Sequence, residues 1–354
     1  MAQYFTERLQ KVFHMIFTSY NQNMAQEGLR QLELIVNNQQ NPSQLKDRAL
    51  RNDKTSRLES DIDTKEDALK IANDSEAREL GDAYALLARV YAGPRFTWEE
   101  SNFPEDNMRT YQCLHDSIRR CSPIGTLQAL RIKGSITPTV EKDMQISFDD
   151  AFRIVYDHAN RGDAYCQYVI GNVFFWRDDN RIDSAEAMLT PPPMSWTKRI
   201  QRSLTANSVR DRIAALQGTV PDETLQENAF NLAKEWFNKA LDNGLAMFQG
   251  NLRNIYIDEA DFANARRVAK TAAELGNPAM MLYTGLDCHE NGKFEDAFTW
   301  FTKGAALGQS ESIAELADYY YHFYDAKNLR CTIPYDPVKA IGLYRRAATK
   351  EFSD

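Results

Sequence analysis

The sequence predicts an all-α fold, a solenoid of stacked helix hairpins, and three observations point there. A helical unit recurs between Glu227 and Gly308 and is closed by Gly244, Gly276 and Gly308, at a constant spacing of 32 residues. Eleven residues before each glycine stands an alanine, Ala233, Ala265 or Ala297. Trp236-Phe237, Val268-Ala269 and Trp300-Phe301 follow, and then Ala240-Leu241, Ala272-Ala273 and Gly304-Ala305. These offsets share one helical face. The third observation is composition: 43% hydrophobic residues, with 18 Phe, 16 Tyr and 5 Trp, are enough for a sizeable core and exclude a disordered chain. A hairpin with such a face cannot bury it alone, so successive hairpins stack.

Taken in chain order, residues 4–20 and 24–38 read as two helices around Tyr20-Asn21-Gln22-Asn23. Phe5, Leu9, Phe13 and Phe17, with Val12 and Ile16 beside them, make an apolar stripe. Core packing is its first role and a homodimer contact its second. Residues 1–65 are thus expected to form an amino-terminal helical cap followed by a charged connection. From Glu66 a repeat grammar begins loosely, and Gly81-Asp82-Ala83-Tyr84 matches Gly162-Asp163-Ala164-Tyr165, which suggests equivalent helix starts. A degenerate unit with helices near 106–121 and 125–133 lies between two irregular links, 94–105 and 134–147. The register is regular from Phe148 onward, with Ala151 eleven residues before Gly162.

The stretch 177–226 interrupts this register between the two halves of one hairpin. It carries Pro191-Pro192-Pro193 and then amphipathic sequence in which Lys198, Arg199, Arg202, Arg210 and Arg212 concentrate positive charge. That cluster suits first a solvated helix face packed beside Ile200, Leu204 and Ile213, and second a grip on an acidic partner or a phosphate-bearing ligand. The final unit repeats the pattern at Ala340, Leu343-Tyr344 and Ala347-Ala348.

The alanine, aromatic pair, small residues and closing glycine, followed by Cys166, Ile170, Gly171 and Phe174 after Gly162, resemble the Sel-one-like repeat family, relatives of tetratricopeptide repeats. Tyr256 and Tyr320 hold the same position after Gly244 and Gly308. The resemblance covers 148–354 apart from the interruption, and 66–133 loosely. It implies a right-handed α-α superhelix that acts as an adaptor or scaffold, often bacterial and linked to signalling, stress or secretion. First helices at 82–92, 163–176, 245–257, 277–289 and 309–325 would line its inner face. Tyr84, Tyr165, Met247, Asn251, Met281 and Tyr319 are the expected contacts with a protein or peptide partner.

A net charge of −8 argues against a mainly electrostatic nucleic-acid binder. Five cysteines, Cys113, Cys121, Cys166, Cys288 and Cys331, form an odd, irregular set that suits reduced thiols in the cytoplasm. No stretch is long and apolar enough to span a membrane. Cys113, His115 and Cys121 lack a fourth ligand at a familiar spacing, and adjacent Cys288-His289 is poor geometry for a nucleophile and its base. His158 before Gly162 suits partial burial or a helix end. No cofactor and no enzymatic activity are therefore expected. Two other readings stay open: a regulator holding an anionic ligand through Lys198, Arg199 and Arg202, or a toxin-neutralising, defence-associated binder whose acidic array blocks a basic partner.

Overall fold

A computed structural model of the chain describes residues 3–39, 64–132, 138–189, 222–247, 249–322, 333 and 335–351. Among them helices account for all regular structure. In chain order they are α1 (Glu7–Phe13), continued by a π-turn at His14–Thr18, α2 (Gln22–Gln39), α3 (Lys65–Asn73), α4 (Glu79–Tyr91), α5 (Asn107–Arg119), α6 (Pro123–Arg131) and α7 (Pro138–Asp143). Then come α8 (Phe148–Asn160), α9 (Ala164–Phe175), α10 (Asp183–Leu189), α11 (Asp222–Asp242), α12 (Gly250–Asp258) and α13 (Phe262–Glu274). The series closes with α14 (Pro278–Glu290), α15 (Phe294–Ala306), α16 (Ser310–His322) and α17 (Pro337–Glu351).

The hairpin grammar has a local cause. Gly162, Gly244, Gly276 and Gly308 all take positive φ, between 88° and 101°, the conformation that ends a helix cheaply at glycine. The residue after the glycine then caps the next helix. Asp163 accepts the Cys166 N–H, Asn277 accepts the Met280 N–H, and Gln309 accepts the Ser312 N–H. Leu245 follows Gly244 and has no acceptor to offer. There the next helix, α12, starts late, at Gly250.

Close helix approach accounts for a second feature of the pattern. A Cβ at Gly171 of α9 would lie 2.6 Å from the Phe237 ring of α11, and one at Gly285 of α14 would lie 2.5 Å from Phe301 of α15. The same register pair thus closes both hairpins, although residues 177–226 intervene in the first. Within that interruption the structure shows a 3-10 turn at Asp178–Arg181, then α10, and later the start of α11. Pro191-Pro192-Pro193 and the basic residues Lys198, Arg199, Arg202, Arg210 and Arg212 lie outside the described residues.

The chain divides into two compact units that interleave in sequence. One comprises Met1–Thr6, Leu45–Ala85 and Leu114–Ala240, the other Glu7–Gln44, Leu86–Cys113 and Leu241–Asp354. In the first, α8 is the hub against which α3, α6, α9 and α10 pack. In the second, α12 to α17 pack each on the next, and α1 and its π-turn pack on α2. There the Tyr20 ring lies 3.4 Å from where a Cβ of Gly276 would stand, at the turn between α13 and α14.

Two expectations change at this level. Residues 3–6 are not helical, so the first helix begins at Glu7. The stripe Phe5, Leu9, Val12, Phe13, Ile16 and Phe17 is buried within the chain, at 3% exposure or less, and that face is covered rather than open to a second copy. The stretch 94–105 is irregular as expected, with two short 3-10 turns, and it is packed: Thr97, Trp98, Glu100, Ser101 and Phe103 are buried, and the Trp98 indole donates to the Ile16 carbonyl in the π-turn at 2.8 Å.

Candidate functional site

Of the six side chains expected to meet a partner, Tyr84, Tyr165, Met247, Met281 and Tyr319 are between 1% and 6% exposed, and Asn251 is half-buried. The cause is packing. Tyr165 stacks on Tyr168 and faces Phe5, and Tyr319 meets the edge of Phe301 while its hydroxyl pairs with His289 Nδ1 at 2.6 Å. Large apolar area on a first helix is drawn between its neighbours, and these five residues are core in this structure. Lys198, Arg199 and Arg202 lie outside the described residues, and so does Cys331.

The surface offered by the second unit lies beside those residues in the register. Asn251, Tyr283 and Glu315 stand seven residues after Gly244, Gly276 and Gly308, and Asn254, Leu286 and Asp318 stand ten after. All six are half-buried or exposed. Positions three apart share a helical face, so they form an accessible strip along α12, α14 and α16. Adjacent helices meet there: the Arg253 guanidinium lies 3.7 Å from the centroid of the Tyr283 ring, and α14 packs on α16. Toward α16 the strip is acidic, with Asp287, Glu290, Glu315 and Asp318. Burial, reinforced by the Asp318 charge, raises the Glu315 carboxyl above its ordinary value.

The first unit holds a different arrangement, built around Tyr4. Arg78, wholly buried in the turn before α4, donates from Nε to Asp82 at 3.0 Å, from one terminal nitrogen to the Ala72 carbonyl at 2.9 Å, and from the other to the Tyr4 carbonyl at 2.6 Å. Its guanidinium carbon stands 4.0 Å over the Tyr4 ring, a cation–π contact. The Tyr4 N–H donates to Asp163 at 2.9 Å, and the Tyr4 hydroxyl donates to Asp82, which also accepts from Ser122 at 2.6 Å. His158 meets the Tyr4 ring edge-on at 5.2 Å between centroids, Phe5 packs on Tyr165, and Thr6 donates to Glu79. Burial pushes the Asp82 carboxyl up, against the pull of Arg78 and Ser122. It pushes the Tyr4 phenol well up, so that hydroxyl remains a donor.

The two Gly-Asp-Ala-Tyr copies therefore meet at one residue, through Asp82 and Asp163. Only Asp163 caps a helix. Gly81 lies inside α4 without positive φ, and its missing side chain admits the Arg120 carbonyl, 2.8 Å from where a Cβ would stand. The copies were legible in the sequence, but their convergence on Tyr4 was not. That segment carried a helical pattern, and Arg78 gave no local sign of burial.

Other chemistry-bearing residues have structural partners. His115 pairs with Asp143 at 2.8 Å, Cys113 and Cys121 are buried, and burial pushes the Cys121 thiol up to about 12. Burial also raises the Cys166 and Cys288 thiols, which keeps them protonated and poorly nucleophilic. Among the described residues no three His, Cys, Asp or Glu side chains are grouped to hold a metal ion. No described helix is long and apolar enough to cross a membrane.

These features define an all-α helical-repeat protein: hairpins in a fixed register, two of them closed by glycine against phenylalanine. No protein-family model and no curated protein matches the sequence. Among solved structures, the chain is similar to a Sel1 repeat protein from Oxalobacter formigenes, with 11% identity over 81% of this chain and 94% of that one, at a TM-score of 0.39. It is also similar to c5321, a protective antigen of uropathogenic Escherichia coli strains that displays an SLR fold. There the identity is 15% over 88% of this chain and 64% of that one, at a TM-score of 0.31.

Proposed function

We propose that the protein is a protein-interaction scaffold whose partner lies along α12, α14 and α16. One observation carries this reading: the same two register positions on three successive first helices stay accessible while Leu252, Ile255, Thr284, Gly285, Leu316 and Ala317 beside them are buried. A surface that recurs at a fixed spacing on a stacked framework suits an extended peptide or a partner helix, read one contact per repeat. Tyr283 and Leu286 supply contact area near the middle. Asp287, Glu290, Glu315 and Asp318 favour a partner segment that brings positive charge, so binding should weaken as salt rises.

The test is site-specific cross-linking in the source cells. A photo-reactive phenylalanine analogue replaces Tyr283 in one variant and Thr302, exposed on α15, in another. The reading expects one protein cross-linked from position 283, lost when Glu315→Gln and Asp318→Asn are added, and absent from position 302. Equal labelling at both positions, or no protein at position 283, would overturn it.

A further inference from the structure

We infer that Arg78, Asp82, Ser122 and Asp163 form a recognition site for a short, non-helical peptide bearing a tyrosine followed by a second aromatic residue, and that the chain's own Tyr4-Phe5 fills it in cis. The inference goes beyond the scaffold reading: it concerns a second site, in the first unit, that stands or falls separately from the α12–α16 strip.

Residues 3–6 have no regular secondary structure, so their backbone groups must find partners elsewhere. The Tyr4 N–H and C=O find them on side chains, Asp163 and Arg78, rather than on another main chain. Such bonding holds a bent, irregular segment without asking it to join a helix or a sheet. The tyrosine is read at every polar atom and on its ring face, and Phe5 extends the contact onto Tyr165. A buried acceptor such as Asp82 selects for the hydroxyl, because a phenylalanine in its place withdraws a partner from the carboxylate.

Each cradle residue also has a partner outside the segment. Arg78 keeps Asp82 and the Ala72 carbonyl, Asp82 keeps Ser122, and Asp163 keeps the Cys166 N–H. These bonds lie outside the segment, so the pocket it occupies has a framework of its own. Its occupant is short and joined directly to α1, so it competes with any incoming peptide through a high local concentration. The segment acts as an internal pseudo-ligand, which a partner segment of the same chemistry displaces.

The experiment uses the full chain with Tyr4→Ala and Phe5→Ala, a second variant lacking residues 1–6, and wild type. The probe is a fluorescent, end-capped peptide, Ala-Gln-Tyr-Phe-Thr-Glu, followed by anisotropy, with helical content checked by circular dichroism. We expect both emptied variants to bind the peptide at least ~10-fold more tightly than wild type, where the cis segment competes at an effective concentration of about a millimolar. The Tyr→Phe peptide should bind roughly 3- to 10-fold more weakly, by loss of one hydrogen bond, and a scrambled peptide should not bind. Folded variants that bind no better than wild type would overturn the inference, as would equal binding of the scrambled peptide. Unfolding of both variants would overturn it too, because the segment would then be core. A cross-link at position 283 without peptide binding removes this inference and leaves the scaffold standing; peptide binding without that cross-link removes the α12–α16 strip and leaves the cradle.

Discussion

Removing the Asp82 carboxylate would strand the Arg78 guanidinium in the core. Breaking a buried pair in this way costs about 3–5 kcal/mol, because the remaining charge is neither hydrated nor matched. Asp82→Ala is expected to lose that much in urea unfolding, and Arg78→Met with Asp82→Leu to recover most of it, since both charges are then gone. His158 gives a pH dependence at the same place. Burial, then the neighbouring Arg78 charge, lowers its pKa, with Asp163 and Asp157 pulling the other way and Arg161 adding to the lowering. The folded protein resists the proton that the unfolded chain accepts, so stability is full at pH values above about 6.5, the ordinary histidine value, and falls as pH drops toward the lowered folded value. His158→Gln should flatten that dependence, and urea midpoints at several pH values for both proteins would measure the difference. The sequence alone exposed Asp82 and Asp163 as a repeated pair after glycine and suggested two equivalent helix starts, but only Asp163 stands at one. Asp82 could not be read the same way, because its role depends on Arg78 and Tyr4, the latter far off in sequence.

A helix in this protein is specified by what stands next to its glycines, and two helical glycines with opposite surroundings test that. Gly285 of α14 faces Phe301 so closely that a methyl group would force the ring aside, whereas nothing stands within 4 Å of where a Cβ of Gly342 in α17 would be. Gly285→Ala is expected to destabilise by about 1–3 kcal/mol through overpacking. Gly342→Ala is expected to stabilise by roughly 0.5–1 kcal/mol through reduced backbone freedom in the unfolded chain. The same urea titration decides both, and equal signs would show that the packing account is wrong. Hairpins were the most legible part of this fold because spacing, cap and aromatic pair all state the same thing. Element detail that no spacing records was harder: the late start of α12 follows from Leu245, and the π-turn at His14–Thr18 is matched by a Trp98 indole. The expected partner residues illustrate the limit. A tyrosine or methionine on a first helix is equally suited to an inner face and to the core, and neighbours that sequence does not place in space decide which.

At the scale of the molecule, the chain order and the packing order diverge. Residues 1–65 carry no repeat grammar and read as a preface to the array, yet Glu7–Gln44 belongs to the same compact unit as Leu241–Asp354, together with Leu86–Cys113. No single cut can release that unit whole. Inside it Tyr20 covers the turn at Gly276, and its ring packs against Trp98 at 5.8 Å. A fragment of residues 241–354 keeps the hairpins α12 to α17, whose helices pack each on the next, but leaves uncovered whatever α1, α2 and the 94–105 stretch had buried. Helix formation within it is local, so circular dichroism should still show helix. Its unfolding should nevertheless begin at lower urea and over a broader range than in the whole chain, because a stack loses cooperativity when an interface is removed. Adding residues 7–39 and 86–113 in trans should not restore the midpoint at micromolar concentration, since joining separate chains costs several kcal/mol of translational and rotational freedom. An isolated 241–354 fragment with the midpoint and sharpness of the intact protein would show instead that the array is self-sufficient and that the early helices are an accessory to it.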